Sequence, residues 1–304
     1  MKFIITKTKA MKTSSLFNRV LAPLALSLSM LLGSSAAISA PKTLVFSAIP
    51  DQDKSQLVQR FGKVANYLTK TLGVPVEYVP VNSYAAAITA FRNNQVQLAW
   101  FGGLSGVKAR SLVPGSEAIA QGVEDQSFIT YFIAHHEAGL TPSETFPLSI
   151  KDKTFTFGSK GSTSGRLMPE YYIRHYLQAP KQAFKRVGFS GDHSRTIALV
   201  QAGSYEVGAV NFKVWHKMIE SGKIDPNLVK IIWQTPAFPD YQWSIRGDVE
   251  QAFGKGLKAK VTAALLNMSD PELLKSFPRQ GFISAQNSDY APIKKTAQAI
   301  GLMD

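Results

Sequence analysis

From residue 43 to residue 49 the chain reads Thr-Leu-Val-Phe-Ser-Ala-Ile, a near-continuous apolar run that predicts a strand covered on both faces. Pro50-Asp-Gln-Asp53 then turns the chain, and Asp53 or Ser55 can cap the helix that follows. In that helix Leu57, Phe61, Val64 and Leu68 share one face, and Gly73 stops it. Residues 74–81 predict a second strand, 83–92 a short helix and 96–101 a third strand ending on Gly102-Gly103. Strands and helices alternating through short connections predict a parallel α/β sheet with right-handed crossovers. Ligands of such sheets sit off the carboxyl ends of the strands. Those ends are residues 48–51, 82–84 and 102–105, which makes Asp51 and Gly103 candidate cleft residues.

Two further β-rich runs follow at 117–123 and 128–134, and then a Gly/Pro/Ser/Thr-rich stretch at 139–147 that reads as a boundary. Beyond it the rhythm restarts. Strands are predicted at 154–157, 184–189, 206–211 and 228–234, with helices to about 177, at 193–201 and to 221. The tail predicts a strand at 242–246, one helix aligning Val249, Phe253, Leu257, Val261 and Leu265, and a last helix at 290–300. The fold class is α/β: two lobes joined by two crossing segments, with a ligand cleft between them. The crossings are expected near 133–139 and 233–238. Lobe 1 is then residues 41–136 plus 237–304, and lobe 2 residues 137–236.

The stretch that most invites chemistry is Gly158-Ser-Lys-Gly-Ser-Thr-Ser-Gly-Arg166, between a strand and a helix that carries Pro169 early. This placement predicts free N–H groups from Ser162 to Arg166 at a helix N-terminus, beside the hydroxyls of Ser162, Thr163 and Ser164. Such a turn is a socket for an anion. Its plain reading is a Ser/Thr cap on a surface helix.

Composition changes the picture in three ways. Lys2, Lys7, Lys9, Lys12 and Arg19 precede an apolar run of about a dozen residues from Leu21, and small residues follow up to Ala40. That is the pattern of a secretory signal peptide over residues 1–40, too short to span a bilayer. Cleavage is expected between Ala36 and Ala40, and Met11 is an alternative start. Removing the segment lowers the net charge from +13 to +8, which suits an anionic ligand. With no cysteine in 304 residues, thiolate chemistry and Cys-ligated metal are excluded. No basic block interleaved with aromatics suggests nucleic acid. The expectation is a monomeric periplasmic protein without a cofactor.

An exported, cysteine-free, two-lobed α/β chain resembles the periplasmic binding proteins of ABC importers (type II fold). Asn82-Ser-Tyr-Ala-Ala-Ala-Ile-Thr-Ala-Phe-Arg92, residues 96–103, Ser162-Thr-Ser-Gly165 and Ser190-Gly-Asp-His193 occur in the order of the phosphate/phosphite/phosphonate-binding family. The likeness runs from about Thr43 to Ala299. Phe46-Ser-Ala-Ile-Pro-Asp51 and Trp100-Phe-Gly-Gly-Leu-Ser-Gly106 resemble a subgroup proposed to carry selenate. The resemblance implies that Ser162, Thr163, Ser164 and Gly165 grip a tetrahedral anion, that Tyr84 donates its phenol, and that His193 lies near the ligand. It places Asn211 where aminophosphonate binders carry an acidic residue, and Gly106 where they carry a second tyrosine. It also implies an inner-membrane permease as partner.

A fully ionised selenate or sulfate offers only acceptors and calls for a site of donors. Phosphate keeps a proton and welcomes a carboxylate. The socket turn holds none, although Asp51 and Asp192 lie near cleft loops, so the sequence leans toward a selenate-like ion. Each candidate also has a plain role: Tyr84 as packing, His193 as a cap neighbour, Asn211 as a strand end and helix cap. Likewise Arg166 can simply face solvent, Trp100 core, and His135-His136 a solvated crossing. Besides an oxyanion carrier, the alternatives are a carrier of a small organic nutrient, a sensor lobe, or a hydrolase using a serine of the socket. The last is disfavoured because Gly161-Ser-Thr-Ser-Gly165 places Thr at the nucleophile position.

Overall fold

The computed structural model describes residues 42–303, so the basic and apolar leader lies outside the described residues. The chain begins with β1 (Leu44–Ala48), α1 (Lys54–Leu72), β2 (Val76–Tyr78), α2 (Tyr84–Arg92), β3 (Leu98–Phe101), α3 (Gly103–Ser111) and β4 (Glu117–Gly122). It continues through β5 (Thr130–His135), β6 (Thr154–Phe157), α4 (Met168–Tyr176), α5 (Pro180–Ala183) and β7 (Arg186–Phe189). Then come α6 (His193–Gln201), β8 (Val207–Asn211), α7 (Phe212–Glu220) and β9 (Val229–Gln234). The return leg is β10 (Gln242–Ile245), α8 (Val249–Phe253), α9 (Leu257–Leu266), α10 (Pro271–Ser276), β11 (Phe282–Ser284) and α11 (Ala291–Ala299).

The strands form two sheets, ordered β11-β4-β10-β3-β1-β2 and β7-β6-β8-β5-β9. β1 pairs parallel with β2 and β3, as the alternation predicts. β10, however, inserts antiparallel between β3 and β4, and β5 lies antiparallel between β8 and β9. Both sheets are therefore mixed. The architecture is the two-lobed α/β one that the pattern predicts.

The first crossing is displaced from its expected place near 133–139. Ile133 sits inside β5, a strand of the second sheet, so the chain changes sheets at Phe128–Ile129. There Phe128 and Phe238 exchange backbone hydrogen bonds of 2.9 Å, which brings the outgoing and returning segments side by side.

Residues Leu57, Phe61, Val64 and Leu68 of α1 are all buried against the first sheet, where Phe61 meets Phe46 and Tyr78 with ring centroids 6.0 and 5.0 Å apart. Asp53 caps this helix and Gly73 closes it in the left-handed region at φ 69°. In the second lobe the alternation along β5 serves two cores, Phe132 and Ala134 on one face, Tyr131 and Ile133 on the other. The single helix expected across 249–265 is broken: Gly254 and Gly256 take φ of 92° and 91°, and α8 and α9 part there. Helix α3 was not expected, because Gly102-Gly-Leu-Ser-Gly106 has the composition of a loop.

Candidate functional site

After β6 the chain turns at residues 158–161, and Ser162 caps a single π-helical turn, Thr163–Leu167, that runs into α4. The Ser162 hydroxyl accepts the Gly165 N–H at 2.9 Å. The N–H groups of Thr163 and Ser164 open this helix and have no intrahelical acceptor, the arrangement that receives an anion. Ser162 and Gly165 were expected to offer free N–H groups too, but theirs are spent, on Ser159 O and on the Ser162 hydroxyl. Gly165 has no room for a side chain. A Cβ there would lie 2.9 Å from Ser162 Oγ and 3.0 Å from His193 Cε1.

The first turn of α3 meets this turn across the lobes. Leu104 N–H donates to Thr163 Oγ1 at 3.0 Å, and Gly103 N–H donates to Asp240 Oδ1 at 2.8 Å. A Cβ on Gly103 would stand 3.1 Å from Pro239 O and 3.3 Å from Thr163 Oγ1, so the glycine permits the close approach.

Around the socket turn, four buried side-chain atoms lack any protein partner: Tyr84 Oη, Ser164 Oγ, His193 Nε2 and Asp240 Oδ2. They come from the first residue of α2, the π-helical turn, the first residue of α6 and the loop ahead of β10. Tyr84 packs on Gly161, His193 packs on Gly165, and the Asp240 carboxyl faces the hydroxyls of Thr163 and Ser164. Leaving such an atom unpaired costs about 1–3 kcal/mol, so a cluster of under-satisfied polar groups around one turn marks a place that a ligand can complete.

Their protonation follows from their surroundings. His193 Nδ1 accepts the Asn211 backbone N–H at 3.3 Å, so the ring proton of the neutral imidazole belongs on Nε2. Burial lowers its pKa to about 4, keeping it neutral. Burial, with Asp51 nearby, raises the Tyr84 phenol well above its ordinary value, so it too is a donor. Burial also lifts the Asp240 carboxyl to about 7. Three donors thus face one acceptor whose proton is shared near neutral pH.

Two of the residues expected at the ligand are engaged by other residues of the protein. Asp51 Oδ2 accepts Tyr241 Oη–H at 2.8 Å, and its backbone oxygen accepts His193 N–H at 3.1 Å. Asn211 Oδ1 caps α7 through Lys213 and Val214, while its Nδ2 donates to Tyr241 Oη at 3.0 Å. Asp192 caps α6 by accepting Arg195 N–H. Arg166 pairs with Glu170 at 3.1 Å, and Trp100 is core, stacked on Tyr241. The space at Gly106 is filled: a Cβ would come within 2.4 Å of Gln242 Nε2.

The pair His135-His136 is not at a crossing but at the far end of β5. With Glu137 its possible metal-ligating atoms fall within 4.8 Å of one another. Asp240 and Tyr241 were not singled out. The available signal was a carboxylate directly ahead of a predicted strand, but nothing local says that this strand pairs with β3.

Residues 46–290 match the family model for the periplasmic substrate-binding protein of a phosphonate ABC transporter. The probable ABC transporter phosphite binding protein PhnD1 of Prochlorococcus marinus (strain MIT 9301) is 38% identical over 275 residues, 88% of this chain and 93% of the relative. The Escherichia coli phosphonates-binding periplasmic protein is 28% identical over 216 residues, 70% of this chain and 63% of the relative. The structure of PhnD1 in complex with methylphosphonate matches with a TM-score of 0.83 at 37% identity, covering 86% of this chain and 99% of that one. A binding protein component of a Pseudomonas aeruginosa phosphonate transporter shares the fold at 20% identity, with a TM-score of 0.76 over 87% of this chain and 88% of that one. The chain belongs to the phosphonate-binding family of periplasmic ABC-transporter substrate-binding proteins, whose members bind their substrates and are not enzymes.

Proposed function

We propose that this protein captures a small phosphorus oxyanion that still carries one proton, of the phosphite or methylphosphonate type, and delivers it to an inner-membrane permease. The observation that carries the reading is Asp240 Oδ2, buried and unpartnered among the donors Tyr84 Oη, Ser164 Oγ and His193 Nε2. A phosphonate monoanion presents acceptor oxygens to the three donors and to the N–H groups of Thr163 and Ser164, and one O–H to Asp240. Selenate or sulfate brings no proton at neutral pH. Its oxygen could meet Asp240 only if the carboxyl supplied the proton itself. This acceptor moves the reading away from a selenate-like ion. The names of the relatives, a phosphite binder and a methylphosphonate complex, point the same way.

In this reading Ser162, Thr163, Gly165 and Gly103 shape the socket, and the other four side chains contact the anion. Asp51 and Asn211 serve closure rather than contact. An ammonium-bearing phosphonate is disfavoured, since Asn211 is neutral and spent and no aromatic wall fits at Gly106. Residues 1–40 act as an export signal, and the mature protein works in the periplasm as a monomer, with residues 41–136 plus 237–304 as the first expected lobe adjusted at the Phe128 crossing.

Competition calorimetry with methylphosphonate, phosphite, phosphate, selenate and sulfate tests the proposal. Binding of the phosphorus anions with little or no heat from selenate and sulfate supports it. Selenate binding at least as tight as methylphosphonate overturns it.

A further inference from the structure

Tyr241 stands between the lobes with its hydroxyl fully used. It donates to Asp51 Oδ2 at 2.8 Å in the loop after β1, and accepts from Asn211 Nδ2 at 3.0 Å at the end of β8. Its ring stacks on Trp100 with centroids 5.5 Å apart, which fixes the phenol's direction. All three residues are buried, so these bonds form away from water, where they are strongest. The Asp51 loop meets the second lobe again at the start of α6, where His193 N–H donates to Asp51 O at 3.1 Å. Close to Asp51 lies the buried Arg60, its Nε and Nη2 unpaired, whose pKa burial lowers against the pull of the Asp51 carboxyl.

We infer that Tyr241 is a positioning residue: the chain Asn211–Tyr241–Asp51 clasps the lobes in the closed pose without touching the ligand. It holds the His193 end of α6 against the Asp51 loop, so that Nε2–H, Tyr84 and the socket turn converge before an anion arrives. Apparent affinity scales with the fraction of protein already in the binding-competent pose, so a clasp of this kind raises affinity from outside the socket.

The native chain has no cysteine, so two labels can be placed uniquely. Asn66→Cys and Lys181→Cys put spin labels on exposed faces of α1 and α5, one in each lobe. Pulsed electron resonance on ligand-free protein then compares Tyr241 with Tyr241→Phe, which keeps the ring stack and loses only the hydroxyl. The inference predicts a short inter-lobe distance as the main ligand-free population and a shift to longer distances in Tyr241→Phe, with about tenfold weaker methylphosphonate binding. Asn211→Ser keeps an acceptor to cap α7 but removes the donor to Tyr241, and it should give the same shift if Tyr241→Phe folds poorly. Identical distance distributions in native protein and variant overturn the clasp. The affinity comparison rests on the ligand proposed above, while the distance comparison uses no ligand, so failure of one reading is distinguishable from failure of the other.

Discussion

His193 Nδ1 accepts the backbone N–H of Asn211 at 3.3 Å, and that bond decides which ring nitrogen can face a ligand. The proton is placed on Nε2, buried and otherwise unpaired. His193→Ala should therefore weaken methylphosphonate binding about tenfold or more, the loss expected for one hydrogen bond to a charged ligand. With the native pKa lowered to about 4, the imidazole should stay neutral above pH 5, visible in nitrogen-edited proton spectra as a single tautomer from pH 5 to 8.

Asp240 should set both selectivity and a pH signature. Its folded pKa of about 7 lies above the ordinary value of 3.8, so the folded state holds a proton that the unfolded chain releases between those values. This contribution to stability is present below about pH 3.8 and is lost as pH rises toward 7. His193 acts oppositely between about 4 and 6.5, since its folded pKa is lowered. Asp240→Asn removes only the first effect. Chemical denaturation of ligand-free protein should show the variant gaining on the native protein from pH 4 to 7, by up to about 1.4 kcal/mol per pH unit. The same variant should bind phosphite less well relative to selenate than the native protein does.

Gly165→Ala forces a methyl group 2.9 Å from Ser162 Oγ and 3.0 Å from His193 Cε1. Overpacking of this kind costs about 1–3 kcal/mol. Here it pushes directly on the anion socket. Melting should fall by several degrees and calorimetric binding should weaken together.

Beneath Asp240 lies a buried ion pair. Arg279 Nε and Nη2 donate to Asp125 Oδ2 and Oδ1, each at 2.8 Å, and the Asp125 backbone oxygen accepts Asp240 N–H at 2.9 Å. Asp125→Ala strands a buried guanidinium and should destabilise by about 3–5 kcal/mol, measured by urea titration.

How much of this could be read in the sequence depended on whether the signal was local. The face of α1 and its cap at Asp53 follow from spacing and residue type within one helix, and both stand as expected. The socket turn showed itself because its hydroxyls, glycines and strand-helix context are contiguous. Asp240 did not, since it reaches the socket only because β10 runs antiparallel to β3, a pairing 137 residues apart in Gly103 and Asp240. Asp51 is placed near the ligand by its position at the carboxyl end of a strand, and Asn211 by resemblance. Their hydrogen bonds to Tyr241 depend on how two lobes close, which no periodicity encodes. Apolar spacing persists from Val249 to Leu265 and predicts one long helix, but the positive φ of Gly254 and Gly256 breaks it.

The most direct test of the central claim is isothermal titration of the purified protein at neutral pH with methylphosphonate and, separately, with selenate. The account predicts saturable methylphosphonate binding that Asp240→Asn weakens, and little or no selenate heat. Selenate bound as tightly as methylphosphonate, with Asp240→Asn leaving both unchanged, would contradict it.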